Sequence, residues 1–413
     1  MSHLAIRGGT KAANDLNLPA WPEFDASEES AILNALRSRH WCRLSGSEVA
    51  EFERTFAEYH EAKHAIAVSN GTVALELALL ACDIRPGDEV LVPAVTFIAS
   101  ASAIVTSVGA VPIFVDINPE TASIDADAME AAITSRTRAV VGVHYGGYPI
   151  DFDRILPIVE KHDLYLIEDC AHALGTEWNK RKVGAIGDVG AFSFQESKSS
   201  TAGEGGIIVT NEDALAERAR LYHNIGRALG QPGYKHFVLA SNFRLTELQG
   251  TLLRTQLSRY KEKHARLKHE HGSFLATLLR DIGGIEPLKK DNRITQRGYY
   301  FFVIRYNPHA FGGVSRDHFV EALRAEGVPC DTGYGLPLYK QPAFREKEVS
   351  RWLSESARPW PDYEALFLEA SERFCASEQI TLPHQLLLLD ESKLRQIADA
   401  ISKIKAYHIE LEQ

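Results

Sequence analysis

Lys198 is the residue of this chain whose surroundings most clearly suggest covalent chemistry. It lies in the stretch FSFQESKSSTAGEGG, residues 192–206, where it follows the apolar run AFSF and has mostly small neighbours. Most lysines are solvated surface groups. A lysine at a strand end among small residues can lose part of its hydration, which lowers the pKa of the amine and makes it a nucleophile. The glycines that follow are not a dinucleotide-binding loop or a P-loop, because no helix comes directly after them.

A second reactive stretch is IEDCAH, residues 167–172, in which the apolar run LYLI leads into two carboxylates. We expect Asp169 to emerge at the carboxyl end of a strand, with His172 three residues later. A carboxylate in that position can hold a protonated ring nitrogen of a ligand. The alternative is structural, with Asp169 capping a helix and His172 a core histidine whose hydrogen bonds are satisfied.

Two loops could contact an anion. In SNGT, residues 69–72, Asn70 or the serine before it can cap a helix, Gly71 lets the backbone approach a ligand, and Thr72 adds a hydroxyl. The free N–H groups of such a first helical turn bind phosphate well. In SNFRL, residues 241–245, Asn242 and its neighbouring arginine lie in a loop before a long helix. Taken singly, each loop is also consistent with simple helix capping.

Together these groups match the requirements of one cofactor, pyridoxal phosphate (PLP). This cofactor needs a lysine for its Schiff base and an acidic partner for its pyridinium nitrogen. It also needs a phosphate cradle and usually an aromatic ring against its face. Lys198, Asp169, the helix start at Gly71 and Thr72, and Phe97 can fill these four roles.

The stretch HEAKH, residues 60–64, matches the H-E-x-x-H pattern of zinc peptidases and suggests a different chemistry. Hydrophobic residues at helical spacing predict a helix that buries Val49, Phe52, Phe56 and Tyr59. His60 and His64 then fall towards solvent, with His64 in the last turn before a strand AIAV. No later cluster offers an obvious third ligand. We therefore expect no metal site here.

The elements that must position these residues alternate between strands and helices from about residue 64 to 210. Continuous apolar strands separated by helices predict an α/β fold with a sheet covered on both faces. Ligands of such sheets bind beyond the carboxyl ends of the strands. The pattern changes after Thr210, and a long helical stretch runs from about Leu245 to Leu279. We place a domain boundary inside it, with a large domain at 1–258 and a smaller one at 259–413.

Composition excludes several classes of function. The 413 residues carry a net charge of −10, which makes nucleic acid or an anionic membrane a poor partner. The five cysteines are far apart, and the N-terminus lacks the apolar segment of a signal peptide, so we expect a cytoplasmic protein. Residues 90–115 are uncharged and long enough to span a bilayer. Pro93, Gly109 and Pro112 interrupt this segment, and we expect a strand, a helix and a second strand instead.

The chain resembles the DegT/DnrJ/EryC1/StrS family of sugar and cyclitol aminotransferases, which are fold type I PLP enzymes. The similarity runs from about Trp41 to Leu257, with a weaker match in CDTGYGLPLYKQPAF and ITLPHQLLLL. It rests on NGTVALELAL, GDEVLVPAVTFIASASAI, GAVPIFVDI, IEDCAHALGT, FSFQESKSSTAGEGG and SNFRLTELQ, in family order and spacing. The resemblance implies a large domain with a three-layer, mostly parallel sheet and an N-terminal arm, followed by a small α+β domain.

The resemblance also implies a role for each site residue. Lys198 would bind the cofactor covalently and then move protons, and Asp169 would keep the pyridine nitrogen protonated. His172 would lie beside the ring hydroxyl, where many family members have Gln, and Phe97 against the ring, where others have Trp or Tyr. The phosphate would be bound by Gly71, Thr72 and Ser193, and by Asn242 of a second subunit, which implies a homodimer.

The reaction implied is transfer of an amino group from L-glutamate or L-glutamine to a keto group. LAIRGGT and WPEFD, together with FSFQ and TAGEGG, favour the branch that acts on cyclitols and aminated quinoid rings. Nucleotide-linked keto-sugars, the substrates of the larger group, are an open alternative. So is a lyase-type dehydration or aromatisation of the 3-amino-5-hydroxybenzoate synthase type, since both reactions keep Lys198. Contacts to the acceptor are expected from the second domain, the partner subunit and the region from Trp41 to Ser45.

Overall fold

The computed structural model describes residues 3–228, 230, 234–353 and 360–411. Its strands are β1 His64–Val68, β2 Glu89–Pro93, β3 Val111–Val115, β4 Thr137–Val143, β5 Tyr165–Asp169, β6 Glu177–Trp178, β7 Arg181–Lys182, β8 Val189–Ser193, β9 Gly206–Thr210, β10 Ile285–Pro287, β11 Ile294–Gln296, β12 Phe301–Tyr306 and β13 Gln379–Pro383. Its α-helices are α1 Ala26–Ser38, α2 Glu48–Tyr59, α3 Gly71–Ala81, α4 Ala99–Val108, α5 Ala126–Ala131, α6 Phe152–Lys161, α7 Asp213–His223, α8 Glu247–Arg259, α9 Ala265–Ile282, α10 Arg316–Ala325, α11 Glu346–Val349, α12 Glu369–Arg373 and α13 Glu391–Ala406.

Within the described residues, seven strands form the main sheet in the order β1-β9-β8-β5-β4-β2-β3. The pairs β2–β3, β2–β4, β4–β5 and β5–β8 are parallel, whereas β9 is antiparallel to both of its neighbours, β1 and β8. Six strands therefore point their carboxyl ends to one edge, where the amino end of β9 also lies. Helices α3, α4, α5 and α6 separate the successive strands from β1 to β5, as the alternating sequence pattern predicts, whereas the chain between β5 and β8 forms the β6–β7 hairpin.

The sheet is the middle of three layers because its strands are apolar on both faces. In β1, Ile66 and Val68 pack on one side, while Ala65 and Ala67 pack on the other. The first side contacts α3, α4 and α7, and the second contacts α2, α6 and α8. This sandwich fixes the positions of the strand ends, and with them the residues that follow each strand.

The C-terminal part builds a smaller, separate core. Strands β10, β12 and β13 form an antiparallel sheet that packs against α9, α10 and α13. Leu4 and Ala13 from the N-terminal arm are buried in the same cluster. A π-helical turn at Tyr260–His264 joins α8 to α9, so one nearly continuous helix links the two parts. The division at residue 258 falls in the last turn of α8 and stays a prediction.

The structure corrects our prediction for HEAKH. Helix α2 ends at Tyr59, and Glu61 adopts a positive φ of 55°, which turns the chain into β1. His60 is fully buried against the rings of Phe56 and Phe192, not exposed. His64 is the first residue of β1 rather than part of the helix. The two histidines are therefore on different elements, and the pattern does not form a zinc-peptidase site.

Among the described residues, one other group has the spacing of metal ligands, namely His144, Glu168 and Cys170. His144 Nδ1 accepts a hydrogen bond from Ile150 N, and its Nε2 lies 3.0 Å from Glu168 Oε2. The Glu168 carboxylate also accepts the N–H groups of Gly184, Ile186 and Gly187. These hydrogen bonds explain the burial of the pair without a metal ion.

The uncharged segment 90–115 folds as predicted into β2, α4 and β3. The two strands belong to the main sheet, and the helix packs against one of its faces. Across the described parts of the chain, none of the helices combines the length and the apolar character that crossing a membrane requires.

Candidate active site

A cavity of about 660 Å³ opens at the edge of the main sheet where the six parallel strands end. Residues at or just after the ends of β1, β2, β4, β5 and β8 line it, together with groups from the C-terminal part. The lining consists of Asn70, Gly71, Thr72, Val73, Leu75, Thr96, Phe97, Ala99, Val143, Asp169, Ala171, His172, Ser193, Gln195, Lys198, Glu204, Tyr300 and Tyr334. Seven of the eight residues predicted from the sequence are among them. This is the position where α/β sheets bind ligands.

Lys198 projects into this cavity from the turn after β8. Its Nζ lies 4.0 Å from the centre of the Tyr300 ring and has no hydrogen-bond partner within the described residues. Burial lowers the pKa of the Lys198 amine to about 8, and the nearby Asp169 carboxylate acts in the opposite direction. A larger share of this amine is therefore neutral near pH 8 than for a solvated lysine, as a nucleophile requires.

Asp169 is the last residue of β5 and is almost fully buried. Its Oδ2 accepts a hydrogen bond from Ser100 Oγ at 2.7 Å, and Oδ1 accepts Ala171 N at 3.1 Å. Ser100 comes from the first turn of α4, and Thr96 Oγ1 lies 2.9 Å from its hydroxyl. The alternation of side chains along β5 sends Glu168 to the opposite face, so only Asp169 faces the cavity.

His172 is buried at the side of the cavity. Its ring stacks on Tyr300 at 4.4 Å, and the Tyr334 hydroxyl lies 3.4 Å from Nε2. Nδ1 accepts a long hydrogen bond from Gly146 N at 3.4 Å. Burial lowers the pKa of His172 well below its usual value, and the Lys198 amine lowers it further. The ring is therefore neutral, with one nitrogen accepting a hydrogen bond and the other directed to a tyrosine.

The start of α3 forms a close approach with the end of β8. Asn70 caps the helix by accepting a hydrogen bond from Val73 N at 2.9 Å, as the sequence predicts. A Cβ on Gly71 would lie 2.6 Å from Ser193 Cβ, closer than side chains come. Glycine is therefore needed where the first turn meets Ser193. The N–H groups of this turn and the hydroxyls of Thr72 and Ser193 make a cradle suited to an anion.

Aromatic rings from the two parts of the chain line the rest of the cavity. Phe97, in the loop before α4, is 52% exposed and lies 6.2 Å from Tyr334 between ring centres. Tyr300 and Tyr334 were not predicted as site residues. Tyr334 lies in CDTGYGLPLYKQPAF, which contributes only to the weaker part of the resemblance, and no motif marks Tyr300. They do fit the expectation that the C-terminal part contributes to acceptor contacts.

Asn242 is the predicted site residue that the structure does not bring to this cavity. It is exposed, and it pairs with Asn224 in an isolated bridge. The region from Trp41 to Ser45 is also outside the cavity of its own chain, and Cys42 pairs there with Thr246 near the start of α8. The role of Asn242 was expected in a second subunit, whereas the acceptor contacts of Trp41 to Ser45 were not assigned to a partner, and both stay predictions.

A buried lysine in α9 supports the Lys198 turn from behind. Lys268 Nζ donates to Ser199 Oγ at 2.8 Å and lies 3.3 Å from Tyr299 O. Ser199 Oγ donates to the same carbonyl at 2.9 Å. These bonds connect the residue after Lys198 to the residue before Tyr300, so they hold the amine and the ring at their contact distance.

The fold and site together define a class of enzyme. A half-buried lysine and a buried aspartate at the carboxyl edge of a mostly parallel sheet, beside a helix start suited to phosphate, are the arrangement of an aminotransferase. Residues 22–379 match the profile of the DegT/DnrJ/EryC1/StrS aminotransferase family. The chain belongs to this family, so the predicted family and the predicted enzyme class are confirmed.

Individual relatives cover almost the whole chain. It is 38% identical over 425 residues to the L-glutamine:2-deoxy-scyllo-inosose aminotransferase of Streptoalloteichus tenebrarius, covering 99% of both chains. It is 36% identical over 387 residues to the 3-amino-5-hydroxybenzoate synthase of Amycolatopsis mediterranei, covering 93% of this chain and 96% of the relative. A crystal structure of 3-amino-5-hydroxybenzoic acid synthase superposes with a TM-score of 0.81 at 34% identity, covering 94% and 98%. The predicted fold class is thereby confirmed.

Proposed function

We propose that this aminotransferase uses PLP and moves an amino group from L-glutamine, or from L-glutamate, to the keto group of a cyclitol. The observation that carries the proposal is the Lys198 amine, which faces the cavity without a hydrogen-bond partner among the described residues. The residues present fit the cofactor. A Cβ on Gly71 would clash with Ser193, so glycine lets the first turn of α3 lie against Ser193, where backbone N–H groups and hydroxyls are suited to a phosphate. Asp169 is buried and accepts two hydrogen bonds from protein groups among the described residues.

PLP supplies an electron sink for the bond broken at the amino-bearing carbon. In our proposal Lys198 binds the cofactor and, once displaced by substrate, moves the proton between the substrate carbon and the cofactor. Its lowered pKa keeps a neutral fraction of the amine ready to accept that proton. Asp169 holds the proton on the pyridine nitrogen, and the hydrogen bond from Ser100 keeps this carboxylate oriented.

The remaining contacts to the cofactor would come from the anion cradle at the start of α3 and from the ring side chains of the cavity. The phosphate would bind at Gly71, Thr72 and Ser193, and Phe97 would lie against the cofactor ring. A neutral His172, whose Nδ1 accepts the Gly146 N–H, would donate a hydrogen bond from Nε2 to the oxygen of the ring hydroxyl, where its buried ring excludes water. These roles are carried over from the resemblance, and the shared cavity supports them.

We further propose a homodimer in which Asn242 of one subunit contacts the phosphate of the other. The exposure of Asn242 outside the cavity of its own chain is compatible with this role. We also propose a cytoplasmic location, which is compatible with the five free cysteines of the described residues. Small molecules, rather than nucleic acid or membranes, are the proposed partners.

The choice of substrates rests on the relatives. The L-glutamine:2-deoxy-scyllo-inosose aminotransferase is similar over 99% of both chains, which favours L-glutamine as donor and a keto-cyclitol as acceptor. The cavity lining holds no arginine or second lysine beside Lys198 among the described residues, and its anion cradle is the one assigned to the cofactor phosphate, so this lining offers no further cation for a nucleotide diphosphate. We therefore place keto-cyclitols before nucleotide-linked keto-sugars.

The direct test is a product assay with L-glutamine and 2-deoxy-scyllo-inosose, read by mass spectrometry. We expect an aminated cyclitol with the wild-type protein and none with Lys198→Ala, whose fold should be unchanged by circular dichroism. Lys11→Ala, at an exposed lysine outside the cavity, is the matched control and should behave as wild type. Full turnover by Lys198→Ala would refute the assignment.

The second candidate is an aromatising dehydratase, because the chain is 36% identical to 3-amino-5-hydroxybenzoate synthase. This reaction would release water from an amino ring and produce an ultraviolet-absorbing aromatic product without consuming L-glutamine. Aromatic product with no change in the donor would favour this candidate over transamination.

Asp169→Asn tests the proposed role of the carboxylate. We expect the variant to retain PLP, because Asn can keep the hydrogen bond from Ser100, but to lose most of its activity. An amide does not carry the charge that holds a proton on the pyridine nitrogen. Near-normal rates would show that Asp169 acts only as a structural group.

A further inference from the structure

A second cavity, which we name the α9 cavity, lies beside the Lys198 site, and the proposed reaction assigns it no role. It has a volume of about 320 Å³, within the range typical of sites for small ligands. One face of α9 forms a wall, with residues at helical spacing. The lining consists of Tyr148, His269, Ser273, Ala276, Thr277, Arg280, Pro287, Leu288, Lys289, Lys290, Asp291, Asn292, Ile294, Arg297, Tyr299 and Phe302. Tyr299 faces this cavity, while the next residue, Tyr300, faces the active site.

Arg297 is a buried cation for which the described residues supply no acidic partner. It is 8% exposed, and its guanidinium lies 4.2 Å from the Tyr299 ring centre and 5.1 Å from that of Tyr148. Its Nη2 donates to Gly146 O at 3.3 Å, whereas Nε has no partner within the described residues. Burial lowers the pKa of Arg297, and no carboxylate opposes this effect. A buried charge left without a counterion is costly, so a binding partner is expected.

The other charges of the α9 cavity add to the positive potential. Arg280 donates only to Leu288 O, at 3.2 Å, and the exposed Lys290 has no ion pair in the described part of the chain. Lys289 is paired with Glu120 at 2.6 Å, so its charge is compensated. The acidic group of the lining, Asp291, is already bound by Arg293 at 2.6 Å.

The α9 side chains that line the cavity do not neutralise the positive charge of Arg297. His269 accepts a hydrogen bond from Arg297 N through Nδ1, and burial lowers the pKa of its ring, so it stays neutral. Ser273 and Thr277 offer hydroxyls, and Asn292 offers an exposed amide. The cavity thus combines three cations, Arg280, Lys290 and Arg297, with neutral hydrogen-bonding groups and apolar walls.

We propose that the α9 cavity binds a small molecule through a phosphate or carboxylate group. The guanidinium of Arg297 would receive the oxyanion, because its planar fork matches both groups. Arg280 and Lys290 would complete the charge at the mouth. The walls of Tyr148, Tyr299 and other apolar residues would take the uncharged part of the ligand. If Arg297 had only a structural role, its hydrogen bond to Gly146 O and its contacts with two tyrosine rings would be sufficient. The cations Arg280 and Lys290 would then not be needed in the same cavity.

The experiment is calorimetric titration of the full-length protein saturated with PLP, so that the proposed cofactor phosphate site is filled. The probes are inorganic phosphate, pyrophosphate and citrate. Binding of the first two would indicate recognition of a phosphate group, and binding of citrate would indicate recognition of a carboxylate. We expect one site per chain, with an affinity that weakens as salt is added. Each of Lys290→Glu and Arg280→Gln should weaken binding by about tenfold, since each removes a charged contact.

The controls separate this site from a general charge effect. Lys11→Glu makes the same charge change as Lys290→Glu at an exposed lysine outside the cavity and should leave binding unchanged. Arg297→Gln should abolish binding where it folds. If it does not fold, the variants at Arg280 and Lys290 decide the question. Absence of binding by all three anions would overturn the proposal, as would binding that the Arg280 and Lys290 variants leave intact.

Discussion

The buried histidine of the HEAKH stretch gives a prediction whose magnitude follows from its surroundings. His60 is fully buried, stacks on Phe56 at 4.3 Å and packs against Phe192 at 4.6 Å. Its Nδ1 lies 3.3 Å from Phe56 O, and Nε2 has no partner in the described part of the chain. Burial, with a smaller contribution from the charge of Lys182, lowers the pKa of His60 from 6.5 to about 3. The folded protein therefore holds this ring neutral.

This shift makes the stability of the fold depend on pH. Because the pKa is lower in the folded state, the unfolded chain binds a proton that the folded chain does not between pH 6.5 and pH 3. The full stability is present above pH 6.5 and is lost as the pH falls through this window. The pKa differs by about 3.5 units between the two states, and pH 5 lies about 1.5 units below the unfolded-state value of 6.5. At about 1.4 kcal/mol per unit, the free energy of unfolding at pH 5 is lower by about 2 kcal/mol.

The assay compares urea unfolding of wild type and His60→Leu at pH 7 and pH 5. Leucine keeps an apolar side chain in the same packing and removes the titrating group. We expect the wild type to lose about 2 kcal/mol more than His60→Leu between these two pH values. His318→Leu, at an exposed histidine, should show the wild-type dependence. An identical pH dependence in wild type and His60→Leu would refute the reasoning.

Two further predictions concern the active site. Ser100→Ala removes the 2.7 Å hydrogen bond to Asp169 and should lower kcat/KM by about tenfold, measured in the product assay; an unchanged value would show that this hydrogen bond does not orient the carboxylate. Gly71→Ala places a Cβ 2.6 Å from Ser193 Cβ and should raise the Kd for PLP by about tenfold, measured by fluorescence titration. Tight PLP binding by Gly71→Ala would argue that the cofactor phosphate lies elsewhere.

Local sequence patterns were sufficient to predict the site residues that lie at or after the end of one strand or at the start of one helix. Asp169 and Lys198 each follow an apolar run, and parallel strands bring such ends to one edge. Gly71 and the Asn70 cap could be recognised because a helix start has its own residue preferences. For these positions the local chain and the sheet architecture together determine the location.

The groups that could not be predicted depend on contacts between distant parts of the chain. Tyr300 and Tyr334 reach the cavity because the C-terminal part packs over the sheet edge, which no local pattern reveals. His60 was placed wrongly because the helical periodicity was extended to His64, past the end of α2 at Tyr59, whereas a positive φ at Glu61 turns the chain into β1. The Lys268–Ser199 hydrogen bond likewise joins residues that are far apart in sequence.

The central claim is that Lys198 binds PLP and that the loaded protein accepts an amino group from L-glutamine. The visible absorption spectrum of the purified protein, before and after addition of L-glutamine, tests it most directly. We predict a yellow band that L-glutamine converts to the spectrum of the aminated cofactor, and a loss of this conversion in Lys198→Ala. A protein without a visible band even after addition of PLP would contradict the account.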